Sequence, residues 1–123
     1  MQFLRVAPIL PVKDVDDAAQ WYTRLGFEAH VYEHRLADGR AFYGFLHRDN
    51  ISLHLALASE VDVGRDPACV YIYVDDPDAL YAEWRGVADS GLLEPPEDKK
   101  WGVREMTYSD RDGNLLRIGC ILK

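Results

Sequence analysis

The chain has 123 residues, which is about one domain and too short for two independent cores. Fourteen basic against 21 acidic residues leave a formal net charge of −7. That balance repels phosphate backbones, disfavours a nucleic-acid partner and favours a cationic ligand. No apolar run approaches the roughly 18 residues that span a bilayer, so no membrane partner is expected.

Residues 3–12 are apolar, contain Pro8 and Pro11, and read as an edge strand, because proline cannot donate to a central ladder. Arg5 interrupts the apolar patch and a helix signal follows at once. The start therefore does not read as a signal peptide, and a cytoplasmic protein is expected. Asp14 is placed to cap a helix over about 15–25, with Asp16 and Asp17 in its first turn. Val15, Ala18, Ala19, Tyr22 and Leu25 follow at helical spacing, and Gly26 is a natural stop.

Residues 27–35 and the aromatic run 40–46 are strand candidates, separated by the turn signal Asp38-Gly39. Arg48-Asp49-Asn50 forms the next turn. Ile51, Leu53, Leu55 and Leu57 alternate with Ser52, His54, Ala56 and Ala58, a period of two and hence a strand. The polar stretch 60–67 reads as a linker, with Glu60, Asp62 and Asp66 as an acidic border. Residues 70–74 are the strongest strand signal. Asp76 and Pro77 then open a second helix with Leu80, Trp84, Val87 and Ala88 on one face. Residues 94–100, polar and carrying two prolines, read as loop. Residues 104–109 and 115–122 are strands around a turn at 110–114, where Gly113 supplies a positive φ.

The halves repeat. An offset of 62 aligns Val12 with Val74, Asp14 with Asp76, Asp16 with Asp78 and Tyr22 with Trp84. An offset of 63 aligns Asp49 with Asp112, Leu53 with Leu116, His54 with Arg117 and Leu55 with Ile118. Each half alone is too small to bury its sheet face, so the two should pair. Module one covers about 1–58, a linker about 59–67, and module two about 68–123.

Several residues have plain structural readings. Cys69 and Cys120 lie in apolar runs with no CxxC and read as two reduced, buried thiols. Trp21 and Trp84 read as core, and His54 as a satisfied strand histidine. Arg104 and Glu105 read as solvated or mutually paired charges, with Arg117 a further partner open to Glu105. Trp101, in a polar loop, is either a solvent-shielding residue or an exposed ring platform. Tyr71 and Tyr73 share one side of their strand. No Gly-x-Ser-x-Gly setting and no glycine-rich phosphate loop is present, so nucleophile chemistry and nucleotide cofactors are not expected.

The pattern Asp14-Val15-x-x-Ala18-x-x-Trp21-Tyr22-x-x-Leu25-Gly26-Phe27 is joined by Trp101-Gly102-x-Arg104-Glu105 and Asp110-x-Asp112-Gly113-Asn114. With the duplicated modules, the chain resembles the bleomycin-resistance family of the vicinal oxygen chelate superfamily. The resemblance implies an α+β fold of two paired βαβββ modules, with curved sheets around a cleft. It also implies a homodimer in which the first strand, carrying Pro8, exchanges between subunits.

The superfamily's enzymes hold a metal at positions that map onto Ala7, His54, Cys69 and Arg117. Ala7 offers no donor atom and Arg117 is a permanent cation, so no resident metal or other cofactor is expected. The resemblance therefore implies a non-catalytic protein that sequesters a bleomycin-type antibiotic, a cationic and aromatic ligand that brings any metal with it. Trp101 and Tyr43 map onto ring-stacking positions. Tyr71, Tyr73, His54, Arg117, Gly102 and Glu105 are the remaining candidate ligand-binding residues. Two alternatives stand beside this reading. One is a metal-dependent lyase or dioxygenase of the same superfamily with displaced ligands. The other is a binder of a different planar or cationic antibiotic.

Overall fold

A computed structural model describes residues 1–58, 67–88 and 91–123. Most of the expected linker, including its acidic border, lies outside them. The chain divides into two units, Met1–Asp66 and Pro67–Lys123.

In the first unit, β1 (Ile9–Val12), α1 (Val15–Arg24), β2 (Glu28–Val31), β3 (Tyr43–Arg48) and β4 (Ile51–Leu57) follow in order. The sheet order is β1-β4-β3-β2, with β1 parallel to β4 and the other pairs antiparallel. Asp14 caps α1 by accepting from the Asp17 N–H at 2.9 Å. Arg48 donates to the Leu25 carbonyl at 2.8 Å, satisfying the other end. Alternation sends Leu10, Val12, Leu46, Leu53 and Leu55 to one sheet face, where they are buried with Val15, Ala18, Tyr22 and Leu25. Gly44 permits the close approach of α1, since a Cβ there would lie 3.2 Å from Val15 Cγ1.

The second unit repeats the plan with β5 (Cys69–Tyr73), α2 (Pro77–Arg85), β6 (Leu92–Asp98), β7 (Val103–Ser109) and β8 (Leu115–Ile121). Its sheet order is β5-β8-β7-β6, again with one parallel pair at the first strand. Val70, Ile72, Met106, Tyr108, Leu116 and Ile118 are buried with Trp84, which meets Tyr108 edge-on at 5.7 Å. The repeat holds at the level of register. Ile9 faces His54 as Tyr71 faces Arg117, and Phe45 faces His54 as Thr107 faces Arg117.

Four expectations are corrected. The first strand is short: residues 3–8 lie outside it, with Phe3, Leu4 and Val6 exposed. The expected loop at 94–100 is largely strand β6. Its prolines, Pro95 and Pro96, fall at a register irregularity between Glu94 and Glu97 on an edge strand, where the missing N–H groups are tolerated. The thiols are not buried: Cys69 is exposed and Cys120 half-buried. Cys69 shares the face of Tyr71 and Tyr73, opposite to Val70 and Ile72. Finally, α2 ends at Arg85, so Val87 and Ala88 lie in the turn after it.

Candidate functional site

Each sheet keeps one face away from its helix, and the polar and aromatic candidates other than Trp101 lie there. In the first unit this face carries Tyr43 and Phe45 from β3 and His54 from β4. The three rings meet pairwise, edge-to-face, at 5.0 to 5.4 Å. The Tyr43 hydroxyl and His54 Nδ1 share a hydrogen bond of 2.8 Å, which fixes the imidazole. Pro8 lies outside β1 but beside this group, its carbonyl accepting from the His54 backbone N–H at 2.8 Å. Phe45 was not a sequence candidate. Its position two residues after Tyr43, on the same strand face, was the available signal.

In the second unit the same face carries Cys69, Tyr71 and Tyr73 from β5, Glu105 from β7 and Arg117 from β8. The Tyr71 and Tyr73 rings lie 4.9 Å apart, tilted by 46°. Arg117 donates through Nε and Nη2 to Glu105 Oε2, at 3.3 and 2.9 Å. The Glu105 side chain is 2% exposed and that of Arg117 40%. Glu105 is thus a buried, paired carboxylate rather than a solvated one. Arg104, on the opposite face, turns instead to Asp78 in the first turn of α2 and to Asp98 of β6, each at 2.9 Å.

Burial, reinforced by the neighbouring Glu105 carboxylate, pushes the Tyr71 phenol up to about 12. Glu105 in turn raises the Arg117 pKa further above its ordinary value. Gly119 makes this packing possible: a Cβ there would lie 2.5 Å from the Tyr71 hydroxyl.

Trp101 and Gly102 lie apart from this group along the chain, in the β6–β7 turn. Gly102 adopts φ +84, and its carbonyl accepts from the Leu122 N–H at 2.9 Å. Trp101 is 64% exposed. The sequence candidates therefore fall into three groups: Tyr43 with His54, Tyr71 and Tyr73 with Glu105 and Arg117, and Trp101 with Gly102.

The four positions at which the resemblance implies a metal do not fit one. Ala7 has no donor, Arg117 is a cation already held by Glu105, and His54 and Cys69 differ in softness. Among the described residues no group of three or more His, Cys, Asp or Glu is placed to hold a metal.

The sequence matches the Glyoxalase/Bleomycin resistance protein/Dioxygenase superfamily over residues 2–118. The chain belongs to that superfamily. Its fold is shared by a glyoxalase-related enzyme from Clostridium phytofermentans, at TM-score 0.81 and 18% identity over 99% of this chain and 98% of that one. It is similar to a bleomycin resistance determinant encoded on transposon Tn5, at TM-score 0.76 and 26% identity over 97% and 98% of the two chains. It is also similar to the bleomycin-binding protein of bleomycin-producing Streptomyces verticillus, solved with copper(II)-bleomycin. There the TM-score is 0.75 and the identity 25%, over 96% of each chain. No curated protein matches the sequence. Among the described residues no helix is long and apolar enough to cross a membrane.

Proposed function

We propose that this protein is a non-catalytic binder that sequesters a bleomycin-type glycopeptide in the cytoplasm, as self-resistance or acquired resistance. The observation that carries this reading is the open face of the second sheet. Two tyrosine rings lie side by side there, next to an arginine locked onto a buried carboxylate. Such a surface stacks planar groups and offers hydrogen bonds, while the residues at the superfamily's metal positions lack a donor set. Whole-length likeness to two bleomycin-binding or bleomycin-resistance structures supports it. In this reading Trp101, Tyr43, Tyr71 and Tyr73 stack ligand rings. His54, Arg117, Gly102 and Glu105 supply or orient polar contacts, and any metal comes with the drug.

The working unit in this proposal is a homodimer. Phe3, Leu4 and Val6 expose apolar side chains on a segment that makes no strand within its own chain, and a second copy would cover them.

Calorimetric titration with metal-free and copper-loaded bleomycin tests the reading. The expected result is saturation at about one drug per chain with affinity tighter than about 1 μM. Absence of heat with both forms overturns the bleomycin assignment.

A further inference from the structure

We propose that Arg117 is a fixed donor arm for an uncharged carbonyl oxygen, such as that of a carboxamide, on the aromatic ligand. Glu105 is the positioning residue that holds this arm and sets its selectivity. The inference deepens the binding role proposed above and rests on it for the aromatic character of the ligand.

Arginine carries five N–H donors in a rigid plane. Here Nε and Nη2 are engaged by Glu105 Oε2, and Nη1 has no hydrogen-bond partner among the described residues. The carboxylate beneath is 2% exposed, and leaving it without its cation would be costly, so the guanidinium stays in place. Its rotamer freedom is lost before any ligand arrives, which lowers the cost of binding. The outer part of the side chain remains accessible, the whole being 40% exposed. Tyr71 is the direct register partner of Arg117 and lies against Tyr73, so a planar group stacked on the tyrosines brings its substituents towards the guanidinium.

Charge decides the kind of acceptor. The Arg117–Glu105 pair is neutral as a unit, within a chain of net charge −7. An anion placed on Nη1 also meets the Glu105 carboxylate and gains little. A carbonyl oxygen accepts the same hydrogen bond without that repulsion.

The test uses full-length protein with isotope-labelled arginine, following the Arg117 guanidinium signals by NMR during titration with benzamide or its anionic isostere benzoate. Benzamide should shift the Arg117 signals saturably, and benzoate at equal concentration should give a several-fold smaller response. Glu105→Gln should reverse that order, and Arg117→Gln, which carries no guanidinium to follow, should weaken benzamide binding several-fold when it is read from the backbone amide signals of β5 and β8. If these variants fail to fold, the wild-type comparison decides alone. A wild-type Arg117 signal unmoved by benzamide, or moved as strongly by benzoate, overturns the proposal. Loss of bleomycin binding alongside an intact benzamide preference would instead sink the sequestration reading alone. Bleomycin bound equally well by folded Arg117→Gln would sink the donor arm.

Discussion

At the residue scale, Tyr71 is a side chain whose acid–base chemistry departs well from its ordinary state. It is one of seven tyrosines, and burial with the adjacent Glu105 pushes its phenol up to about 12. The folded state thus holds this proton more tightly than the unfolded chain, whose tyrosines titrate near 10. The linked stabilisation is complete below the unfolded value and is lost as pH rises through about 12. An ultraviolet phenolate titration should show a late phase that includes Tyr71, and Tyr71→Phe should lower the amplitude of that phase by one phenolate. Trp101 behaves oppositely: with its ring 64% exposed, Trp101→Ala should leave thermal stability nearly unchanged. If the ring stacks on the drug, the same substitution should weaken bleomycin binding by about 1–3 kcal/mol, measured by calorimetry.

At the element scale, β5 is tied to the turn before β8 by side chains. Asn114 is fully buried; its Oδ1 accepts from the Ala68 N–H at 2.8 Å and its Nδ2 donates to Asp110 Oδ2 at 3.1 Å. Asp110 Oδ1 accepts from the Asp112 and Asn114 N–H groups at 2.9 Å. Asn114→Ala strands the Ala68 donor, and chemical denaturation should show a loss of about 1–3 kcal/mol. The sequence marked this stretch as a turn but gave no sign of the bond to Ala68, which spans 46 positions. Period and capping made the helices and β4 legible, because Asp14, Asp76 and the leucines of β4 act through neighbours in sequence. β6 was hidden because Pro95 and Pro96 argue against a strand until its edge position and bulge are known. The burial of Glu105 was hidden for a related reason. Alternation puts it on the open face, and only the Arg117 side chain and the packing around it explain its burial.

At the scale of the whole molecule, the duplication left two sheets with the same register and different open-face chemistry. At equivalent positions, one sheet places His54 between two aromatic rings and the other places Arg117 on Glu105. This divergence was legible as the His54–Arg117 alignment, and Glu105 was legible as one partner open to Arg117, whereas the rings around His54 were not. The N-terminal segment belongs to this scale too. Deleting residues 1–6 removes the exposed Phe3, Leu4 and Val6 but none of the buried core side chains. If the segment covers a second copy, sedimentation should show the dimer shifting towards monomer at a given concentration, with secondary structure by circular dichroism retained. An unchanged dimer would place its interface elsewhere.

The proline pair in β6 has a consequence for living with such a protein at high abundance. If the protein sequesters drug as proposed above, it is consumed in proportion to the drug it meets, and protection scales with the number of copies made. Crowded copies with an open sheet margin are prone to stack into fibrils, each margin serving as template for the next chain. In a regular strand successive N–H groups point to opposite margins. Of the consecutive Pro95 and Pro96, one therefore interrupts the donor row on the outer side of β6, and the irregularity between Glu94 and Glu97 breaks the strand's regular pairing. A margin of this kind is a poor template, which would let a cell accumulate the protein without the deposits that a smooth strand invites.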